Sequence, residues 1–203
     1  KACAAQLNEI MTSLYQNVKD VEFLVMGIGD LACDHAPIQA SQFESDIRIL
    51  DQMMNVYFEG GGGGNGFESY TAAWYFGLNN TKLDCWNRGK KGIIITMGDE
   101  PLNPYLPGYR MKAVLGAPAE DVDTETLYKQ VCEKFDVFHI AIDGPSSYNF
   151  YKHQINDTWG KLLGENFLTC RPEELPQVIT AIVSQCNYTG ADAVMNENGE
   201  ISW

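Results

Sequence analysis

The chain has 203 residues, 45% of them apolar and 20% charged, a composition that supplies one ordinary domain with a real core and excludes wholesale disorder. Its formal net charge of −13 weighs against nucleic acid as a partner, because phosphate binding needs clustered Lys and Arg. No run of about 18 apolar residues is present, so no membrane-spanning helix is expected, and no signal peptide is visible.

Cys3, Leu7, Ile10, Leu14 and Val18 recur every three or four residues, the stripe of an amphipathic helix. VEFLVMGIG, 21–29, then reads as a strand. A loop with Asp30, Asp34, His35 and Pro37 leads to a second stripe of Phe43, Ile47, Leu50, Met54 and Tyr57, which predicts an amphipathic helix with those side chains inward. The glycine run Gly60–Gly66 ends it. A third helix is expected over 68–78. GIIITM, 92–97, is apolar without alternation, as in parallel strands covered on both faces. A Pro-rich loop follows, with Pro101, Pro104 and Pro107. Short helices are expected over 110–115 and over 124–134, with Thr124 as cap of the second. FDVFHIAID, 135–143, is the next strand, 153–163 the next helix, and 166–169 a short last strand. Leu175, Val178, Ile179, Ile182, Val183 and Cys186 stripe a final helix that tolerates Pro176 in its first turn. The pattern fades after Tyr188, leaving residues 1–188 as the domain and 189–203 as a polar tail. This alternation predicts an α/β fold: three layers, with a doubly wound and mainly parallel sheet.

The six cysteines, Cys3, Cys33, Cys85, Cys132, Cys170 and Cys186, form no C-x-x-C pair, so neither a zinc site nor a redox motif is signalled. Reduced thiols in a cytoplasmic protein are the expectation. N-x-T sequons at Asn79, Asn156 and Asn187 are short enough to arise by chance.

Three aspartates directly follow predicted strands: Asp30 in GIGD, Asp99 in TMGD and Asp143 in AIDG. Ligands of open parallel sheets bind outside the carboxyl ends of the strands. Carboxylates converging there repel, and Mg²⁺ or another divalent cation relieves the repulsion. Asp beside glycine also serves as an ordinary turn residue, and the spacing alone leaves the two readings level. The glycine run matches G-x-G-x-x-G only trivially and follows a helix, and no G-K-S or G-K-T is present, so neither nucleotide fingerprint is met. Ser146 and Ser147 have no histidine at a telling spacing, and His139, inside a strand, reads as a packed side chain.

The order helix, VEFLVMGIGD, acidic loop, helix, GGGGGNGFES, helix, GKKGIIITMGDEP and a final FLTCRPEELPQVITAIV resembles a von Willebrand factor A domain over most of 1–186. It is nearest the subgroup found in alpha-kinase-associated and microbial intracellular proteins, whose middle loop resembles GGNGFES and whose later strand ends in G-D-x-P. The resemblance implies a metal-ion-dependent adhesion site at the carboxyl edge of the sheet. Asp99 matches its last aspartate and Asn65 its middle-loop position; Glu68 is the acidic residue nearby, and Asp30 lies on the same edge. Asp34, Glu100 and Asn103 then stand where a partner protein would dock. Two departures are evident. Met97 stands where many members have the aspartate of T-D-G, and the D-x-S/T-x-S motif of the first strand has no counterpart.

The second departure leads to the expectation that the first, central strand and its motif lie upstream of Lys1; loss of the site is the alternative. Without that strand the inward stripes of the first and last helices lose burial worth about 1.5–3 kcal/mol per large side chain. The function expected from the resemblance is protein binding, with no catalytic role required. A Mg²⁺-dependent phosphoryl-transfer or hydrolytic enzyme is the rival, although no D-x-D-x-T/V motif follows a strand. A metal-free structural component of an assembly is the third reading.

Overall fold

The structure, a computed structural model, describes residues 6–18, 21–57, 67–116, 119–144 and 147–189. The glycine run with Asn65, and the polar tail beyond Thr189, lie outside the described residues. In chain order the elements are α1 (Leu7–Asn17), β1 (Met26–Ile28), β2 (Ile38–Ala40), α2 (Arg48–Met53), α3 (Ala72–Asn80), β3 (Gly92–Gly98), β4 (Tyr105–Leu106), α4 (Gly108–Leu115), β5 (Val122–Asp123), α5 (Thr124–Val131), β6 (Phe135–Ile142), α6 (Ser147–Leu163), β7 (Phe167–Cys170) and α7 (Leu175–Thr189).

The centre is a parallel sheet in the order β3-β6-β7. Its register runs from Gly92 opposite Phe135 to Gly98 opposite Ala141, and from His139 opposite Phe167 to Ile142 opposite Cys170. Because strand side chains alternate between faces, β6 feeds two cores. Phe135, Val137 and Ala141 join Trp74, Met111, Leu127, Val131, Ile155 and Trp159 on one face. Ile140 and Ile142 join Ile10, Leu14, Leu175, Ile179, Ile182 and Val183 on the other. Helices therefore cover both faces, and the apolar, non-alternating sequences of β3 and β6 follow from that. The class is α/β with a parallel sheet, as the alternation predicts.

Helix ends follow local chemistry. The Arg171 N–H donates to Glu174 Oε2 at 2.9 Å, closing the turn that leads into α7 with Pro176 in its first turn. α4 stops where Gly116 takes φ 67°, and its N–H returns to the Lys112 carbonyl. α5 is capped by Asp123, whose carboxylate accepts from the Thr126 N–H at 2.8 Å. Thr124, the expected cap, is instead the first helical residue, and its hydroxyl donates to the Asn103 carbonyl at 2.7 Å.

The first third departs most from expectation. The strand read over 21–29 is reduced to Met26–Ile28 and pairs antiparallel with β2, a segment with no strand signal of its own. The second helix covers only Arg48–Met53, and the residue it buries is Ile49. The predicted inward stripe faces water instead, with Ile47 70% and Met54 85% exposed. The third helix begins at Ala72, so Glu68 lies in the irregular segment before it. The two-residue pair β4–β5 also had no sequence signal. Cys33, Cys85, Cys132, Cys170 and Cys186 are free thiols, and among the described residues no helix is long and apolar enough to cross a membrane.

Candidate functional site

β1 and β3 belong to different sheets, yet their carboxyl ends meet at one dipeptide, Ser69-Tyr70. The Ser69 N–H donates to the Gly29 carbonyl at 3.2 Å, and the Ser69 hydroxyl accepts from the Leu31 N–H at 3.0 Å. Tyr70 lies over Gly98, where a Cβ would collide with its hydroxyl and ring, so only glycine fits beneath it. Tyr70 is itself fixed edge-on against His139 and Trp159, at centroid distances of 5.3 and 5.8 Å. Asp30, one residue beyond Gly29, and Asp99, one beyond Gly98, are thereby brought to the same place, with Glu68 just ahead of the pin.

The loop after β1 is organised around carboxylates. Asp30 is buried; its Oδ1 accepts from the Ala32 N–H at 2.7 Å and its Oδ2 from the Cys33 thiol at 3.2 Å. Asp34 Oδ2 accepts from the Asp30 N–H at 2.8 Å, in space that any side chain at Gly29 would occupy. Arg110 of α4 reaches across and donates to the Leu31 carbonyl through Nε and to the Asp34 carbonyl through Nη2, the latter at 2.8 Å. The guanidinium thus binds main-chain oxygens of the loop and orders it. On the far side the Trp159 indole N–H donates to the Glu100 carbonyl at 3.1 Å, fixing the GDEP turn against α6.

Glu68 feels the whole cluster. Burial pushes its carboxyl up to about 8, and repulsion from Glu100, Asp34, Asp30 and Asp99 adds to the shift. Its Oε2 is fully buried and has no hydrogen-bond partner among the described residues. Burial also raises Glu100, helped by the charges of Asp99 and Asp30, and burial raises the Tyr70 hydroxyl, helped by Asp99, Glu100 and Glu68. Burial first, and the neighbouring negative charges second, thus favour the protonated form of Glu68.

Of the metal candidates, the structure brings Asp30, Asp99 and Glu68 to one edge, and Asn65 lies outside the described residues. Among the described residues no three acids, histidines or cysteines converge closely enough to hold a metal between them. Of the residues expected to meet a partner, Asp34 and Glu100 belong to the cluster and are half-buried. Asn103 faces inward: it is 4% exposed, and its amide group donates to Thr71 Oγ1 at 2.6 Å and to the Tyr105 carbonyl at 3.2 Å. It closes the Pro-rich loop from inside and presents nothing to a partner. Asp143 stands apart; its N–H extends the sheet to the Cys170 carbonyl at 2.8 Å and its side chain is exposed. Sequence reasoning overlooked Ser69, Tyr70 and Arg110, all of which act on backbone groups and carry no short motif.

His139 is a core residue, as its place in a strand suggested. It is 0% exposed, stacked on Trp159 at 3.6 Å, and its Nδ1 shares a 2.8 Å hydrogen bond with Thr96 Oγ1. Burial lowers it to about 3.

No family model, no curated protein and no solved structure matches the chain.

Proposed function

We propose that the chain is a protein-binding module of von Willebrand factor A type, which engages its partner through the acidic strand-end edge and with the help of a divalent cation. The observation that carries this reading is the buried Glu68 carboxyl, whose Oε2 has no hydrogen-bond partner among the described residues and which feels the charges of four others, Asp30, Asp34, Asp99 and Glu100. A cation of the Mg²⁺ class needs only one or two carboxylates and keeps several waters, so the described acids suffice for a weak, open site. Glu68 with Asp99 or Asp30 is the pair that would hold it. Its open coordination positions would then take a carboxylate of the partner.

The doubly wound layout belongs to the same reading. β3 carries four large apolar side chains and no charge, yet among the described residues it pairs only with β6, and Ile93, Ile94, Ile95 and Met97 are left half-buried. Strands of this composition sit inside sheets. One more parallel strand beside β3, carrying a D-x-S/T-x-S element, would complete both the sheet and the ligand set.

Titrating Mg²⁺ and Mn²⁺ into the intact protein while following its melting temperature tests the reading. A metal at ten times its dissociation constant stabilises by about 1.4 kcal/mol, which is a rise of about 3–5 °C for a domain of this size. Glu68→Gln should abolish the rise. No shift at millimolar metal for the wild type removes the cation from the proposal and favours a metal-free structural role.

A further inference from the structure

The fold leaves an apolar stripe outside, in residues that the acidic edge does not use. Ile47 and Met54 are 70% and 85% exposed, Tyr57 is 62% exposed, and Phe43 stands at the other end. Ile47, Leu50 and Met54 follow one another at three and four residues, so they share one side of α2 and its flanking turns. Beside them runs a groove between α1 and α2, lined by Met11, Thr12, Tyr15, Asp46, Ile47 and Leu50. Isolated apolar residues on a surface are ordinary, but large ones recurring at helical spacing, beside a groove that Ile47 and Leu50 themselves line, form the arrangement that receives an amphipathic helix.

The charge around the groove selects the occupant. Asp46 lines the groove, Glu44 and Asp51 flank Ile47 in the chain, and Arg48 is the single Lys or Arg among the described residues of 6–57. Arg48 is already committed, at 3.0 Å to Glu44 and 2.9 Å to Asp46. Asp51 lies on α2 itself, between Leu50 and Met54. A second copy of the same surface would set these acids against each other, in a chain of net charge −13. We propose that the groove between α1 and α2 binds a basic amphipathic helix of a partner protein, with its apolar face on Ile47, Leu50 and Met54 and its Lys or Arg residues toward Asp46 and Asp51.

The test uses a fluorescently labelled model helix of Leu and Lys in amphipathic order, its scrambled isomer, and an amphipathic Leu/Glu helix, with anisotropy read in EDTA so that the acidic edge holds no metal. The amphipathic Leu/Lys helix should bind at micromolar concentration. The scrambled and acidic peptides should bind at least about tenfold more weakly. Ile47→Gln and Met54→Gln remove apolar contact without changing charge, and each should weaken binding by about tenfold; both sites are exposed, and circular dichroism checks that the fold persists. Raising salt from about 0.1 M to about 1 M, which shortens the screening length from about 10 Å to about 3 Å, should weaken it further. Equal binding of the scrambled peptide reduces the effect to general electrostatic attraction and overturns the proposal. So does absence of binding, or a wild-type dimer in sedimentation that either Gln variant dissolves, which would make the occupant a second copy. Failure here leaves the metal titration untouched, because neither measurement uses the other's residues.

Discussion

Glu68→Gln is the sharpest probe of the acidic edge. The wild-type carboxyl is held up to about 8, first by burial and then by Glu100, Asp34, Asp30 and Asp99. Because the folded value is raised above the unfolded one, the fold favours the protonated acid. Below the unfolded value of about 4.5 the acid is neutral in both states, and wild type and variant should be equally stable. Between about 4.5 and about 8 the unfolded chain ionises freely while the folded chain resists, so the wild type loses stability that the uncharged variant keeps. Taken whole, the displacement corresponds to about 5 kcal/mol at 1.36 kcal/mol per unit. The side chain is only partly buried, and solvent screening brings the expected difference down to about 1–2 kcal/mol. Urea denaturation of both proteins in EDTA at pH 4, 6 and 8.5 measures it. The variant should match the wild type at pH 4 and exceed it by about 1–2 kcal/mol at pH 8.5. A difference that does not change with pH, or a variant less stable at pH 8.5, would refute the account of Glu68 as a buried acid held protonated by its neighbours.

Other outcomes follow from the same packing. His139, lowered to about 3 by burial, contributes stability that is complete above its unfolded value of about 6.5 and is lost as pH falls. His139→Phe keeps the stack on Trp159 and should lose about 3 kcal/mol less than wild type between pH 7 and pH 4, as read by denaturation at the two pH values. Gly98→Ala forces a methyl into the Tyr70 ring and should cost about 1–3 kcal/mol, seen as a lower melting temperature. Arg110→Met leaves the Leu31 and Asp34 carbonyls without their donor and should cost about 1–3 kcal/mol, with faster amide exchange confined to residues 30–35.

How legible each part was depended on whether the cause was local. β3 and β6 are predicted by apolar runs because both their faces are covered, and α7 by a stripe because one of its sides is buried, so the burial that shapes them is written along the segment itself. β2 is three half-exposed residues, Ile38–Ala40, and exists only because β1 lies beside it. The stripe from Phe43 to Tyr57 has true helical spacing, but the fold uses the neighbouring Ile49 for burial, so periodicity named the wrong face. At the site, Asp30 and Asp99 were visible as aspartates after strands. What gathers them was not, since Ser69 acts through backbone hydrogen bonds across some forty residues and Tyr70 through its fit on Gly98. Asn103 looked available in a polar loop, and only its tertiary partners Thr71 and Tyr105 show that it is spent.

β3 also bears on how the protein behaves in a tube. Gly92–Gly98 is a run of seven residues without charge or proline, rich in β-branched side chains, and among the described residues it pairs on one side only, with β6. Identical segments of that kind zip together across molecules. Lys90 and Lys91 stand immediately before it and Asp99 and Glu100 immediately after, so that each end of the sticky segment carries a pair of like charges. Stacked in register, those pairs would repel their own copies in the strands above and below. A substitution that neutralises the aspartate and glutamate of the candidate metal edge should therefore also promote fibre formation, a matter of storage as much as of chemistry.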